Sequence, residues 1–141
     1  MKSIVVTGAS TGIGRATTKV LLEQGFRVFG SVRRAEDAAR LSAQLGPTFV
    51  PLLFDITEES AVRAAAGQVR EALAGATLAG LVNNAGVAVP GPLLYVTADE
   101  YRQQLEVNLV GQLIVTQAFL PLLGVDRALR GVPGRIVNIS S

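Results

Sequence analysis

The stretch that decides the fold reads Ser3-Ile4-Val5-Val6-Thr7-Gly8-Ala9-Ser10-Thr11-Gly12-Ile13-Gly14. A short β-branched run gives way to a glycine-rich loop, and apolar residues then return at Ile13, Ala16, Val20 and Leu21, a helical spacing. A strand therefore passes into a helix through a loop with few bulky side chains. Such a loop lets backbone amides come close to a diphosphate, and the helix start adds unpaired N–H donors and the positive end of the dipole. Gly14 would also let the helix pack closely on the strand. The spacing is G-x-x-x-G-x-G, not the usual dinucleotide fingerprint G-x-G-x-x-G, and by itself it fits a plain tight connection equally well.

The flanking sequence repeats the strand–helix alternation. Gly25 sits where a glycine just past a helix belongs. Residues 27–32 read as a second strand, and residues 35–45 as a helix closed by Gly46-Pro47. Residues 48–54 form a third strand, in which Pro51 cannot donate to a ladder and so predicts an edge position. Thr57 is placed to cap a helix running to about residue 74, with Glu58 and Glu59 at its positive end. A fourth strand over residues 78–82 leads to Asn83-Asn84-Ala85-Gly86, and residues 87–96 read as a loop. Thr97-Ala98-Asp99-Glu100 is a capping box opening a long helix that ends before Pro121, and residues 135–140 form a fifth strand. The pattern predicts one α/β domain over residues 1–141. Its sheet is parallel, doubly wound and Rossmann-like, in the order 3-2-1-4-5. That order puts strand 3 at an edge, in agreement with Pro51.

Composition removes several classes of function. A chain of 141 residues with 49% hydrophobic and 17% charged residues can bury a core and is not disordered. With no Cys and no His there is no disulfide framework, no thiolate or imidazole catalysis and no expected metal site. The net charge is only +2 and the arginines are scattered, so no nucleic-acid partner is expected. The longest apolar run, residues 105–123, is interrupted by Glu106, Asn108, Gln112 and Gln117, and the N-terminus lacks a leader pattern. The expectation is a cytoplasmic protein without a membrane partner.

Five motifs together resemble the short-chain dehydrogenase/reductase family. Residues 7–14 are similar to that family's cofactor loop, and Asn83-Asn84-Ala85-Gly86 to its motif after the fourth strand. Asp55 matches the acid that contacts the adenine, and Asn108 the Asn carried on the long helix in the catalytic site. Gly134-Arg135-Ile136-Val137-Asn138-Ile139-Ser140-Ser141 resembles the strand that delivers the catalytic serine. The motifs follow in order along the whole chain, which is similar to the N-terminal, cofactor-binding portion of the family. The resemblance implies an oxidoreductase interconverting an alcohol and a carbonyl. It implies cofactor contacts at Gly8, Ser10, Thr11, Gly12, Ile13, Gly14, Asp55, Ile56, Asn83, Asn84, Ala85 and Gly86. It also implies that Ser141 polarises the substrate oxygen, while Asn108 distorts its helix and frees a carbonyl to hold a water in the proton relay.

Plainer readings stand beside these. Asp55 could serve the start of a helix near Thr57, Asn83 and Asn84 could satisfy a turn, and Asn108 beside Gly111 could be a tolerated polar residue. An NAD site usually has an acid at the end of the second strand to accept from the ribose hydroxyls. Here Val32 holds that place and Arg33 and Arg34 follow, a pair able to grip a 2′-phosphate with Ser31 as helper. NADP(H) is therefore expected over NAD(H), although two solvated charges at the head of a helix would look the same.

The family's reaction also needs Tyr-x-x-x-Lys. Tyr95 leads to Asp99 and Tyr101 to Leu105, and the lysines are Lys2 and Lys19. The expectation is that the fold is cut after the fifth strand and the Tyr/Lys pair lies past residue 141. The 141 residues would then be inactive by themselves, and the full-length form would be a homo-oligomer. The rival is a non-catalytic NADP-binding module. The substrate would be a small alcohol or carbonyl. The apolar loop 87–95 hints at a hydrophobic one, though packing explains that loop equally well.

Overall fold

The computed structural model describes residues 1–140; Ser141 lies outside the described residues. Five parallel strands form one sheet in the order β3-β2-β1-β4-β5. They are β1 (Ser3–Val6), β2 (Arg27–Val32), β3 (Phe49–Leu53), β4 (Gly80–Asn83) and β5 (Arg135–Asn138). The expected order is the observed one. β1 is central, in register with β2 from Ser3 opposite Arg27 and with β4 from Ile4 opposite Gly80. A central parallel strand is covered on both faces, which is why β1 is apolar throughout. Ile4 and Val6 pack with Val28 and Val82 on one face, while Val5 joins Phe29 and Leu52 on the other. Each fully buried side chain of this kind contributes roughly 2–3 kcal/mol. Pro51 lies in β3 opposite Gly30, on the edge strand its missing donor predicted.

Helices α1 (Gly12–Glu23) and α2 (Ala35–Leu45) cover the Ile4/Val6 face. Helices α3 (Glu59–Leu73) and α5 (Gln112–Phe119) cover the Val5 face. The face of α1 that meets the sheet differs from the one the apolar spacing suggests. Ile13, Ala16 and Val20 are exposed, whereas Gly14 and Thr18 are fully covered and Leu21 and Leu22 pack at the edge. The reason is proximity: small residues face the sheet so that the helix can approach it. Thr18 hides its hydroxyl by donating to the Gly14 carbonyl at 2.8 Å.

Other boundaries also moved. Thr57 does not cap α3, because the helix starts at Glu59 and Glu58 holds the cap position without a side-chain bond; the Thr57 amide and hydroxyl instead donate to Asp55 Oδ1, at 2.9 and 2.8 Å. β4 starts two residues later than expected: the Leu78 amide donates away from the sheet, to the Leu122 carbonyl, and the register with β1 begins at Gly80 opposite Ile4. β5 ends at Asn138 rather than residue 140, and the loop after β4 holds a single 3-10 turn, Leu93–Tyr95.

The long helix begins as predicted. In α4 (Ala98–Leu105) the Glu100 amide donates to Thr97 Oγ1 and the Thr97 amide to Glu100 Oε2, both at 3.1 Å. A π-helical turn, Glu106–Gly111, then joins α4 to α5, and a 3-10 turn, Leu120–Leu123, takes in Pro121. By length and composition the stretch 98–123 could cross a bilayer. Its Val115, Phe119, Leu122 and Leu123 pack into the core beside α3, while Leu109 and Leu113 are exposed.

Candidate functional site

A cavity of about 440 Å³ opens at the carboxyl ends of the strands, where an open α/β sheet leaves a crevice at the reversal of strand order. The loop after β1 supplies Gly8, Ser10 and Thr11 to its wall; the end of β2 and the residues just after it supply Ser31, Arg33 and Arg34. The segment after β3 adds Asp55 and Ile56, and the segment after β4 adds Asn84, Ala85 and Gly86. Eleven of the residues singled out from the sequence thus share one wall. Gly12, Ile13, Gly14, Asn83 and Asn108 are not on it, and Ser141 lies outside the described residues.

The loop is built by its glycines and held from two neighbouring strands. Gly8 has φ +66°, a left-handed conformation that side chains resist. Its amide donates to the buried Ser31 Oγ at 2.9 Å, and the Ala9 amide to the Ser31 carbonyl at 2.9 Å. Gly14 lies against the Gly8 carbonyl and the Asn84 side chain so closely that any Cβ would collide with both. Among the described residues the amides of Ser10, Thr11, Gly12, Ile13 and Gly14 have no acceptor, and Thr11 makes no side-chain cap bond. Five successive unpaired donors leading into the start of a helix are the arrangement that suits an anion.

Thr7 went unnoticed in the sequence as a site residue, yet it ties the two central strand ends together. Its buried Oγ1 accepts from the amides of Asn84 and Ala85, both at 3.0 Å, and lies 3.4 Å from the Val82 carbonyl. The available signal was a hydroxyl at the end of an otherwise apolar central strand. Asn84 Nδ2 returns the contact by donating to the carbonyls of Thr7 and Gly8, at 3.2 and 3.1 Å. Asn83 points elsewhere: its Nδ2 donates to Thr116 Oγ1 and Asn138 Oδ1, at 3.1 and 2.9 Å, bracing β4 against α5 and β5.

Asp55 has a place on the cavity and a structural task beside it. It lies on the cavity wall, and it organises the turn into α3 by accepting from Thr57. The Thr57 amide holds its carboxyl below the usual carboxylate range; partial burial opposes this, and the Thr57 hydroxyl and the Arg33 guanidinium add to the lowering. A depressed folded value means that the ionised form contributes stability above the ordinary carboxylate pKa of about 4, and that this is lost as pH falls through the folded value. Asp55→Asn is expected to lower the urea midpoint at pH 7 by the equivalent of about 1 kcal/mol. The gap to the parent should shrink as pH falls below 4; a gap that is constant with pH would contradict the assignment.

Asn108 lies in the π turn and grips the backbone after β4. Its Oδ1 accepts from the Val87 amide at 2.8 Å and its Nδ2 donates to the Val87 carbonyl at 2.7 Å. Gly111 closes the same turn because any Cβ there would strike Ile56. Asn108→Ala is therefore expected to speed hydrogen exchange of the Val87 amide by about tenfold, the loss of one to two hydrogen bonds, with the amides of β1 unchanged. Equal rates at Val87 in both proteins would refute the clamp. Val32, Asp37, Phe54, Val87 and Val107 complete the wall. Val32 is the neutral residue where an NAD site has an acid; Phe54 and Val87 follow β3 and β4, and Asp37 and Val107 are brought in by α2 and the π turn.

Comparison with known proteins follows the same lines. The short chain dehydrogenase family model matches residues 2–141. The chain is 42% identical over 141 residues to NADPH-dependent 3-dehydrocapnine reductase of Ornithobacterium rhinotracheale, covering 100% of this chain and 50% of that protein. It is 39% identical over 140 residues to 3-amino-tetrahydro-pyrrolizinone reductase of Xenorhabdus hominickii, covering 99% of this chain and 46% of that one. A solved short-chain dehydrogenase from Streptomyces avermitilis superposes with a TM-score of 0.86 at 31% identity, over 99% of this chain and 49% of that one. The chain spans about half the length of the curated relatives it matches.

Proposed function

The chain belongs to the short-chain dehydrogenase family, and on that premise we propose that it forms the NADP(H)-binding half of an oxidoreductase interconverting a small alcohol and a carbonyl. The observation that carries the reading is the run of unpaired amides from Ser10 to Gly14, which begins with Ser10 and Thr11 on the wall of a cavity that also holds Arg33 and Arg34. The amides would bind the diphosphate, and Asn84, Ala85 and Gly86 would border the ribose beyond it. Asp55 and Ile56 would meet the adenine, and Arg33, with Arg34, would pair with the 2′-phosphate because Val32 offers no competing carboxylate. Gly12, Ile13 and Gly14, off the wall, would contribute only the backbone amides at the start of α1, and Asn83 would act by fixing β4.

When bound, the nicotinamide ring supplies or accepts a hydride. The chain's own residues orient and polarise. Ser141 would donate its hydroxyl to the substrate oxygen. Asn108 would act from the π turn, whose change of register would free a backbone carbonyl to hold a relay water. Its side chain keeps the loop beginning at Val87 against the cavity. The reductase named from Ornithobacterium rhinotracheale is NADPH-dependent, which supports the preference for the phosphorylated cofactor.

A second reading, a non-catalytic NADP-binding module, uses the same nucleotide site. Fluorescence titration of the chain with NADPH and NADH tests what both readings share. Saturable binding of NADPH, at least about tenfold tighter than NADH, is expected, a difference of about 1.4 kcal/mol. No saturation with either nucleotide would refute both readings. Carbonyl reduction by the protein that contains this chain separates them, since only the first predicts turnover.

A further inference from the structure

The cavity rim contains a charge that the cofactor reading leaves without a role. Asp37, in the first turn of α2, lies on the wall beside Arg33 and Arg34. A carboxylate there repels a 2′-phosphate and suits a bare ribose, whose hydroxyls can donate to it. Its oxygen Oδ1 is held at 2.8 Å by Arg40 Nη2, one turn further along the helix. Arg40 is not on the wall. We propose that the Asp37–Arg40 pair tunes how the site discriminates between a phosphorylated and an unphosphorylated adenosine ribose. Arg40 neutralises and turns aside a carboxylate that would otherwise favour NAD(H). This rests on the cofactor reading above and adds a specificity determinant to it.

The neighbouring acid supplies a control. Glu36 occupies the same helical turn, where an acid is favourable to the helix dipole, but it does not reach the cavity wall. If Asp37 served the dipole alone, the two acids would be equivalent for nucleotide binding. Charge at this exposed rim is screened over about 8–10 Å, so the expected effects are several-fold and not orders of magnitude.

The experiment measures dissociation constants of NADPH and NADH for the full chain and four variants. Arg40→Gln is expected to weaken NADPH about fivefold and leave NADH within about twofold, the scale of one screened charge. Asp37→Asn is expected to tighten NADPH about threefold and to weaken NADH. In the double variant Arg40→Gln should cost NADPH almost nothing further, because the carboxylate it shields is gone. Glu36→Gln should leave the ratio of the two constants unchanged. The inference is overturned if Arg40→Gln costs NADPH equally with and without Asp37, or if Glu36→Gln matches Asp37→Asn. It is also overturned if the ratio never moves. A parent chain that binds neither nucleotide refutes the cofactor reading itself, whereas binding of both with an unmoved ratio refutes only this inference.

Discussion

Replacing Gly14 with alanine is expected to abolish saturable NADPH binding and to destabilise the chain by about 3 kcal/mol, the upper range for forcing a methyl group into a packed site. The added Cβ would collide with the Gly8 carbonyl, with the Asn84 side chain and with the backbone carbon of Gly8. None can give way cheaply. The Gly8 carbonyl accepts from Asn84 Nδ2, and the Gly8 amide is held by Ser31 Oγ. Moving α1 outward would instead break the contact of Leu21 and Leu22 with the core. Gly12 supplies the comparison. Its φ of +56° is also left-handed, but a Cβ there meets nothing within 4 Å. Gly12→Ala should therefore cost only about 1–2 kcal/mol of backbone strain and leave the fold intact. Equal melting temperatures for the two variants would contradict the packing argument.

The second large effect concerns Arg33. Charge reversal, Arg33→Glu, is expected to weaken NADPH binding about 100-fold while NADH is unchanged or improves. A guanidinium–phosphate pair is a charge-assisted contact worth about 2–3 kcal/mol, and each 1.4 kcal/mol is tenfold. Arg33 is exposed at the end of β2 and faces the same cavity as Asp55, whose carboxyl it helps to hold below the usual range. Arg34 stands one residue on, at the start of α2, without a capping bond of its own. Arg33→Glu replaces the cation with the acid typical of NAD sites. Paired titrations with NADPH and NADH read the change directly. Equal weakening of both nucleotides would mean that Arg33 only supports the fold, and the NADP preference would need another source.

What the sequence disclosed and what it hid follow a physical pattern. Pro51, Gly25, Gly46 and the Thr97–Glu100 box were legible because each acts locally, through a missing donor, a left-handed backbone or a cap four residues long. The order of strands followed from strict alternation of strand and helix. The capping role expected of Thr57 failed because the helix starts one residue later than that role requires, with Glu58 at the cap, and Thr57 turns its donors to Asp55. The buried face of α1 was misread because apolar spacing marks burial by greasy residues. This helix approaches the sheet through Gly14 and Thr18 instead. Asn83 and Asn84 are adjacent in sequence and opposite in direction, one bracing β5 and the other holding the Gly8 loop. Asp37 and Val107 reach the cavity only through tertiary packing, so no spacing rule could have named them.

Hydrogen exchange of individual amides, measured on the 141-residue chain with and without saturating NADPH, tests most directly whether the loop after β1 grips the diphosphate. Marked slowing at Ser10 through Gly14, the donors left without acceptors, is the predicted result, with little change at the β5 edge. Binding that leaves those five rates untouched and slows another segment would move the dinucleotide to a different seat and overturn the account.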